Sequence, residues 1–399
     1  FGGSRCGSAQ RPGGGRFYND VEASYRGFRL NAMSFPAQFQ AHLSTDTQFL
    51  RVDGEFVLES GERLRDVQIA YRTWGDPANG ADGAILICHA LTGSADVDAW
   101  WPNIIGPEKA FDPAHDFIIC SNIIGSCYGT TGPVSIKPGS SHRYRADFPR
   151  VSVRDMVELQ RVLLDELGVS RLELVTGPSL GGMQALEWAI SYPERVDSIV
   201  PIGVGGCHSA WCIGVSEAQR AAIAADPKWQ DGYYSDDEPP SQGLAAARMM
   251  ASCTYRSWES FDRRFGRDQR EDEEYQVQSY LRYQGEKINE RFDANTYVTL
   301  THAMHTHDLS RGRGAYPDIL ASISQPALVV SVSTDALYPP EEQQLLAEHL
   351  PAASYEILES VHGHDGFLIE TEALGKKIIR FRRANKARAA VRAASSSGE

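Results

Sequence analysis

The stretch from residue 172 to residue 188, LELVTGPSLGGMQALEW, constrains the fold of this chain more than any other. Apolar residues precede a glycine-rich turn, and further apolar residues follow it at helical spacing. Residues 177–181 read Gly-x-Ser-x-Gly, the turn that exposes a serine hydroxyl above the end of a parallel sheet. Small residues suit its strained backbone and let the helix pass close to the strand. The stretch therefore predicts a nucleophile at Ser179, against the alternative of an ordinary strand-turn-helix corner.

A second pentapeptide of the same shape, Gly-Ser-Cys-Tyr-Gly at residues 125–129, would make Cys127 the nucleophile. The sequence that follows it, TTGPVSIKPGSS, contains Pro133, Pro138 and several β-branched residues, so it cannot continue as a helix. We interpret this segment as a loop that leaves the strand FIICSN and lies near the site without supplying the attacking group.

Strand-like and helical segments alternate along most of the chain. Helical patterns such as VRDMVELQRVLLDELG lie between several of the strands, which predicts an α/β fold with a mostly parallel central sheet and helices on both faces. The first two strands are expected to form a leading antiparallel hairpin. The predicted strands are FVLES, VQIAYRTWG, GAILICHAL, DFIICSN, LELVTG, SIVPIGVG, ALVVSVSTD and SYEILES.

From residue 208 to residue 318 the strand signal disappears and helical patterns replace it, as in GLAAARMMAS and EEYQVQSYLRYQGEKINERF. An all-helical insert after a strand of such a sheet predicts a lid over the carboxyl ends of the strands. The core of the fold would then comprise residues 46–207 and 319–384.

Both ends of the chain differ from this core in composition. Residues 1–45 are rich in Gly, Arg and Ser and lack an apolar period, so they are expected to be disordered or part of a targeting segment. Residues 385–399 are expected to form a disordered basic tail.

Composition excludes several classes of function. The net charge of −13 argues against a nucleic-acid partner, because phosphate binding needs a basic face. No apolar run is long enough to span a bilayer, so no membrane partner is expected. Seven cysteines without a CxxC pair suit a reducing compartment, and we predict a cytoplasmic location with organellar import as the alternative.

A serine at such a turn needs a general base and an orienting acid, which in this architecture follow in the order Ser, Asp or Glu, His. The strand ALVVSVSTD ends at Asp335, where the carboxylate should lie, although strand-terminal aspartates are often only turn formers. The next strand leads into VHGHDGFL, in which His364 is the better base because the apolar run after it would anchor the loop. His362 is expected to be a neighbour. We therefore predict proton removal from Ser179 by His364, with Asp335 fixing the histidine tautomer.

The oxyanion hole should use the backbone N–H after the nucleophile, that of Leu180, and one from the loop after an early strand, at Leu91 or Thr92. A different polar cluster, THAMHTHDL, contains three histidines and an aspartate that could bind a metal ion. We interpret it as a polar helix face and predict no metal site. The cluster residues are His302, His305, His307 and Asp308.

Taken together, these segments resemble the homoserine O-acetyltransferase family of the α/β-hydrolase superfamily over about residues 50–380. Within that family, SADVDAWW and SAWCIGVSEAQR resemble the branch of fungal homoserine acetyltransferases and their serine- and cephalosporin-acylating relatives. The family has GGSMGG where this chain has GPSLGG, a difference that bears on rate more than on reaction type. The resemblance rests on ICHALTGSADVDAWW, GPEKAFD, GTTGP, YRADFP, GPSLGGMQALEWAISYPE, SAWCIGVSEAQRAAI, GLAAARMMASCTYRSW, FDANTYVTLT and GHDGFLIE.

The resemblance implies a ping-pong transfer in methionine biosynthesis, with acetyl-CoA as co-substrate and no permanently bound cofactor. Ser179 would take the acyl group, and a homoserine hydroxyl activated by His364 would accept it. Arg220 matches the family position that holds the acceptor carboxylate, which suits the planar guanidinium; a surface ion pair is the alternative reading. Tyr234 and Asp365 match other acceptor-binding positions, and Asp365 would suit the ammonium group.

Two alternatives remain open for the activity. The first keeps the chemistry and changes a substrate, to L-serine as acceptor or succinyl-CoA as donor. The second is a serine esterase, against which Arg220 and the lid argue. The expected partners are small-molecule substrates, together with a second copy of the chain in a homodimer formed through the lid.

Overall fold

The computed structural model describes residues 37–80 and 83–396. Within them, most of the strands form one eight-stranded sheet, and two short strands pair separately. In chain order the strands are β1 (Gln48–Arg51), β2 (Glu55–Val57), β3 (Arg63–Arg65), β4 (Gln68–Trp74), β5 (Ala84–Ile87), β6 (Ile118–Ser121), β7 (Leu172–Pro178), β8 (Ile199–Ile202), β9 (Ala327–Val332) and β10 (Ala353–Leu358).

The large sheet has the strand order β1-β4-β6-β5-β7-β8-β9-β10. All neighbours from β6 to β10 are parallel, whereas β1 and β4, and β4 and β6, are antiparallel. The mostly parallel sheet that the sequence predicts is therefore confirmed. The central strands are buried along their whole length except at Glu173 of β7, as expected for strands covered on both faces.

Helices cover both faces of this sheet. Side chains of β5 alternate between two apolar cores, with Ala84 and Leu86 in one and Ile85 and Ile87 in the other. The helices are α1 (Ala37–Gln40), α2 (Val97–Trp100), α3 (Val153–Glu166), α4 (Leu180–Ser191), α5 (Ala210–Ala224), α6 (Ser241–Tyr255), α7 (Trp258–Phe265), α8 (Gln276–Arg291), α9 (Ala294–Met304), α10 (Tyr316–Ser322), α11 (Pro340–His349), α12 (Gly366–Ile369) and α13 (Thr371–Ser396).

The prediction of a leading hairpin is wrong. β2, from FVLES, pairs with β3, and β4, from VQIAYRTWG, pairs with β1 and β6 instead. Strands β2 and β3 are joined by a turn in which Gly61 adopts a positive φ of 86°, a conformation that glycine adopts without strain. β4 has buried residues on both faces and joins the main core.

Between β8 and β9 the chain forms a succession of helices, α5 to α10, and the last of them extends to Ser322, beyond the predicted lid boundary at residue 318. Residues 208–318 are called the lid below only as a label for this segment. Helices α6 and α8 pack so closely that a Cβ added at Gly285 would lie only 3.0 Å from Ala245. No helix in the described ranges is long and apolar enough to cross a membrane.

The structure also corrects the predicted disordered tail, because α13 continues through residue 385 to Ser396. Alanine and arginine, which dominate this segment, are strong helix formers. The middle of the helix is held to the core by Arg382, which donates to Asp116 at 2.7 Å and to Glu173 at 2.9 Å. The segment predicted as disordered or targeting, residues 1–45, lies outside the described residues up to residue 36, and α1 falls in its last part.

Candidate active site

Ser179 lies at the turn between β7 and α4, as the first residue before the helix. Its backbone has φ 55° and ψ −121°, a conformation that is rare and strained for a residue with a side chain. The Ser179 N–H donates to the carbonyl of Ile202 at the end of β8, at 2.8 Å, which holds the turn against the neighbouring strand. The strained turn and its tether match what the Gly-x-Ser-x-Gly pattern predicts.

Glycines at this turn are required by the close approach of another segment. A Cβ on either Gly177 or Gly181 would overlap the carbonyl oxygen of Cys88, which follows β5. Residues 88–93, here called the oxyanion loop, therefore lie directly beside the nucleophile turn. The loop contains Leu91 and Thr92, the predicted second oxyanion donors, while the Leu180 N–H begins α4.

The structure brings the predicted base and orienting acid together. Nδ1 of His364 lies 2.6 Å from Oδ2 of Asp335. The other carboxylate oxygen of Asp335 accepts the N–H groups of Leu337 and Tyr338, each at 2.9 Å. A carboxylate held by three hydrogen bonds fixes the histidine with its proton on Nδ1, which leaves Nε2 as the basic atom.

The imidazole of His364 lies over the end of β8, the strand beside the one that leads to Ser179. A Cβ on Gly203, directly after β8, would be 3.3 Å from Cε1 of His364. Tyr338 and Phe367 pack against the ring with centroid distances of 5.2 and 5.1 Å. Ser179, Asp335 and His364 therefore lie at one edge of the sheet, where the carboxyl ends of its parallel strands meet.

The second histidine of this loop has other partners. Nδ1 of His362 lies 3.2 Å from Nη1 of Arg256 and 3.2 Å from Oγ of Ser260 in the lid. Arg256 also forms an ion pair with Asp365, with 3.1 Å between Nε and Oδ2. Sequence reasoning missed Arg256, although it lies in the segment CTYRSW that carries part of the family resemblance.

Asp365 directly follows His364 in a short 3₁₀ turn, Gly363–Asp365. Burial raises the pKa of its carboxyl group, and the nearby charges of Arg256 and Arg248 oppose that shift. The predicted ammonium-binding residue is thus beside the base, with its negative charge already compensated by arginine.

Arg220 lies on lid helix α5 and is almost completely buried. Its Nη2 is 2.5 Å from Oε2 of Glu217, and its Nη1 is 3.4 Å from Nε2 of His305. The ring of His305 lies 5.6 Å from that of His208, whose Nδ1 is 3.1 Å from the hydroxyl of Tyr338. A continuous set of polar side chains therefore connects Arg220 to the ring that packs on the predicted base.

The histidine-rich cluster of the lid divides among separate partners. Nε2 of His307 contacts the Gly205 carbonyl at 2.8 Å, and Asp308 accepts from Ser310. Burial, and to a smaller extent the charge of Arg220, lowers the pKa of His302 to about 4. The same two causes lower the pKa of His305. Among the described residues, no group of three or more histidine, cysteine or acidic side chains is arranged to hold a metal ion.

Tyr234, predicted to take part in acceptor binding, has hydrogen-bond partners of its own in the structure. The Tyr234 hydroxyl donates to Asp293, at 2.5 Å, and accepts from the N–H of Asn295. Asp293 caps the start of α9, whereas His305, the neighbour of Arg220, follows its end. The Tyr234 hydroxyl thus contacts the start of α9 and Arg220 contacts a residue after its end, and the role of Tyr234 in acceptor binding stays a prediction.

The second pentapeptide forms a loop, as predicted, after β6. Cys127 within it is fully buried, and that burial raises the pKa of its thiol. A buried thiol that stays protonated is a poor nucleophile, which argues against Cys127 as the attacking group. The adjacent Tyr128 faces a cavity instead.

This cavity, of about 450 Å³, borders the oxyanion loop. Arg248 connects it to the site, because its guanidinium lies 5.5 Å from the ring of Tyr255, which is 5.9 Å from the ring of His364. The lining combines three cationic side chains with loop residues. It includes Thr92, Gly93, Ser94, Trp100, Tyr128, Arg248, Lys287 and Arg291.

A mostly parallel sheet with a strained serine turn and a buried Asp–His pair at its carboxyl edge defines an α/β-hydrolase-fold enzyme of the serine-nucleophile type. The chain matches the family model for the alpha/beta hydrolase fold over residues 83–371. It is 57% identical to a homoserine O-acetyltransferase of Nostoc punctiforme over 341 residues, covering 84% of this chain and 96% of the relative.

Two solved structures are also similar. Esterase E22 aligns with a TM-score of 0.77 at 27% identity, over 84% of this chain and 99% of that one. A homoserine O-acetyltransferase of Staphylococcus aureus aligns with a TM-score of 0.69 at 28% identity, over 84% and 94% of the two chains. The chain belongs to the homoserine O-acetyltransferase family of the α/β-hydrolase superfamily.

Proposed function

We propose that this protein is a homoserine O-acetyltransferase that uses acetyl-CoA and forms an acyl-serine intermediate, in methionine biosynthesis. The observation that carries the proposal is the 57% identity to a homoserine O-acetyltransferase over 84% of the chain. The arrangement of the site supports a mechanism in two half-reactions.

In the first half-reaction, Ser179 attacks the thioester carbonyl while Nε2 of His364 takes the serine proton. The imidazolium that forms is stabilised by Asp335, which lies 2.6 Å from its Nδ1. The oxyanion would bind the N–H of Leu180 and one N–H of the oxyanion loop, at Leu91 or Thr92. Collapse of the tetrahedral intermediate breaks the carbon–sulfur bond, and His364 returns the proton to the leaving CoA thiolate.

The cavity beside the oxyanion loop is suited to the acyl donor. Arg248 and Lys287 line it, and such side chains bind phosphate groups strongly. Its position next to the oxyanion loop would let the donor extend outward while its thioester reaches Ser179.

In the second half-reaction, the homoserine hydroxyl attacks the acyl-serine ester while His364 removes its proton. Arg220 would bind the acceptor carboxylate, and Asp365 would bind its ammonium group. Both side chains already have charged partners, Glu217 for Arg220 and Arg256 for Asp365, so the acceptor would join existing ion pairs. The lid helices would keep water away from the ester until the acceptor arrives.

A serine esterase is the second candidate, because esterase E22 shares this fold over most of both chains. An esterase must admit water to the acyl-serine, whereas the buried Arg220 favours a charged acceptor. L-Serine as acceptor and succinyl-CoA as donor remain the alternatives within the transferase class. Acceptors that differ by one methylene are discriminated by only about 1–3 kcal/mol.

A homodimer through the lid is part of this proposal. Trp258 on α7 and Tyr283 on α8 are 79% and 55% exposed, which supports a contact with a second copy. We also propose a cytoplasmic location, which the unpaired state of the six cysteines within the described residues supports.

The proposal is tested by CoA release from acetyl-CoA or succinyl-CoA in the presence of homoserine, serine or no acceptor, with the product identified by mass. Homoserine-dependent release with formation of O-acetylhomoserine is the expected result. Equal release without an acceptor would identify a hydrolase and contradict the role of Arg220. Preference for serine or succinyl-CoA would retain the mechanism and change the substrate.

A further inference from the structure

We propose that Arg291, a lid residue, is a positioning residue that holds the oxyanion loop in its catalytic conformation. This inference rests on the proposed acylation of Ser179 and adds a residue that neither the Gly-x-Ser-x-Gly motif nor the Asp–His pair contains. Arg291 acts on the reaction through Thr92 and does not itself contact the reacting atoms.

The contacts of the Arg291 guanidinium carry the inference. Its Nη1 donates to the carbonyl oxygen of Thr92 and to the hydroxyl oxygen of Tyr128, each at 2.7 Å. One guanidinium nitrogen carries two hydrogens, so both bonds form at once. Thr92 belongs to the oxyanion loop, and Tyr128 belongs to the loop after β6, so a single side chain joins the lid to both loops.

The end of α8 that carries Arg291 is itself well anchored. The Arg291 carbonyl lies 3.8 Å from the Cys127 thiol, and the next residue, Phe292, packs edge-on against Tyr128 with 5.9 Å between ring centroids. Burial raises the pKa of the Tyr128 phenol, so its hydroxyl stays neutral and can accept from arginine. The guanidinium therefore reaches the oxyanion loop from a fixed support.

The contact between Arg291 and Thr92 lies where it can affect the rate of acylation. An oxyanion donor must point at the developing negative charge, and a misplacement of about 1 Å can cost about 100-fold in rate. The held carbonyl lies on Thr92, one of the two residues predicted to supply the loop donor, and next to the other, Leu91. Without Arg291 the loop would lose its hydrogen bond to the lid, and the direction of its N–H groups would vary.

Arg291 also lines the cavity proposed for the acyl donor, so a simple donor-binding role is the competing explanation. The two roles differ for a donor that lacks the CoA moiety. p-Nitrophenyl acetate acylates serine through the same oxyanion hole but carries no phosphate. A positioning residue would affect acylation by both donors, and a phosphate-binding cation would affect acetyl-CoA alone.

The experiment measures acylation of Ser179 by p-nitrophenyl acetate and by acetyl-CoA in Arg291→Met, Arg291→Lys and Tyr128→Phe. We expect Arg291→Met to lower kcat/KM about 10- to 100-fold with both donors, chiefly through kcat. Arg291→Lys should recover part of the loss, because lysine can still donate to Thr92. Tyr128→Phe should lose less than Arg291→Met, because it removes only one of the two contacts.

Arg282→Met is the matched control, because Arg282 lies on the same helix and pairs with Glu274 in an exposed ion pair. Thermal melting of each variant separates loss of fold from loss of rate, and the lysine and phenylalanine variants carry the test if Arg291→Met does not fold. Loss with acetyl-CoA alone, or with neither donor, would overturn the proposal. Acylation by p-nitrophenyl acetate needs neither CoA nor homoserine, so Arg291 can be tested even if the transferase proposal fails.

Discussion

Nδ1 of His364 and Oδ2 of Asp335 lie 2.6 Å apart, and both side chains are almost completely excluded from solvent. Because the other oxygen of Asp335 accepts two backbone N–H groups, the carboxylate cannot turn away from the imidazole without losing them. The pair therefore presets the histidine tautomer before any substrate binds.

Replacing the acid tests this pair. Asp335→Asn keeps the shape but can present an amide donor to Nδ1, which favours the wrong tautomer, and kcat should fall by about 10⁴-fold. His364→Ala should also abolish transfer, while His362→Ala should retain most of it. Steady-state CoA release measures all three, and a His362→Ala variant as inactive as His364→Ala would contradict the assignment of the base.

The nucleophile is tested by trapping the intermediate. Ser179→Ala should give no acetylated protein by intact-mass spectrometry after mixing with acetyl-CoA. Cys127→Ala is the matched control, because burial keeps that thiol protonated, and it should still be acetylated. Acetylation of Ser179→Ala that disappears in the double variant would instead identify Cys127 as the nucleophile.

Acceptor binding should depend on Arg220 and Asp365 without affecting the donor half-reaction. Arg220→Met removes hydrogen bonds to a charged carboxylate, so KM for homoserine should rise about 10- to 100-fold. Asp365→Asn should raise it less, because Arg256 already compensates the aspartate charge. Acetylation of Ser179, measured without acceptor, should keep its wild-type rate; slower acetylation would show that these residues act on the first half-reaction.

Tyr234 should contribute to stability and not to acceptor binding. Tyr234→Phe removes the hydroxyl that donates to Asp293 and accepts from Asn295. The loss should lower the free energy of unfolding by about 1–3 kcal/mol, measured by urea denaturation. KM for homoserine should be unchanged, and a large increase in KM with unchanged stability would instead support the predicted role of Tyr234 in acceptor binding.

The buried His89 should make stability depend on pH. Burial lowers its pKa from the ordinary value of 6.5 to about 4, so between those values the unfolded chain binds more protons than the folded one. Its contribution to stability is thus present above pH 6.5 and is lost as the pH falls toward 4. Between pH 6.5 and pH 4, the free energy of unfolding of His89→Gln should fall by about 1–3 kcal/mol less than that of the wild type, as measured by urea denaturation. Equal losses would contradict the shift.

Much of the architecture could be predicted from the sequence, because buried parallel strands and the serine turn leave strong local patterns. The strands β1 and β3 were missed, since each is short and only partly buried and so leaves no apolar run. The helical tail was also missed. Its basic composition suggested a solvated segment, whereas its alanines favour a helix and Arg382 is held by carboxylates distant in the sequence.

In the candidate active site, too, some residues could be predicted from the sequence and others could not. Ser179, Asp335 and His364 could be predicted because each follows a strand whose end is evident in the sequence. Arg256 and Arg291 could not, because arginines are frequent in the lid and only the fold brings these two to Asp365 and Thr92. The partner of Tyr234, Asp293, could not be predicted either, because the two residues are far apart in the sequence and only the fold brings them together.

Gly177 and Gly181 carry no reactive side chain, yet each leaves room for the carbonyl of Cys88. A methyl group added at Gly177 or Gly181 would lie only 2.2 or 2.0 Å from that oxygen, so the oxyanion loop or the turn at Ser179 would have to shift. Mutational tolerance at these two positions is therefore set by clearance between backbones rather than by chemistry. An alanine there would behave as an active-site mutation in an enzyme whose catalytic groups are all intact.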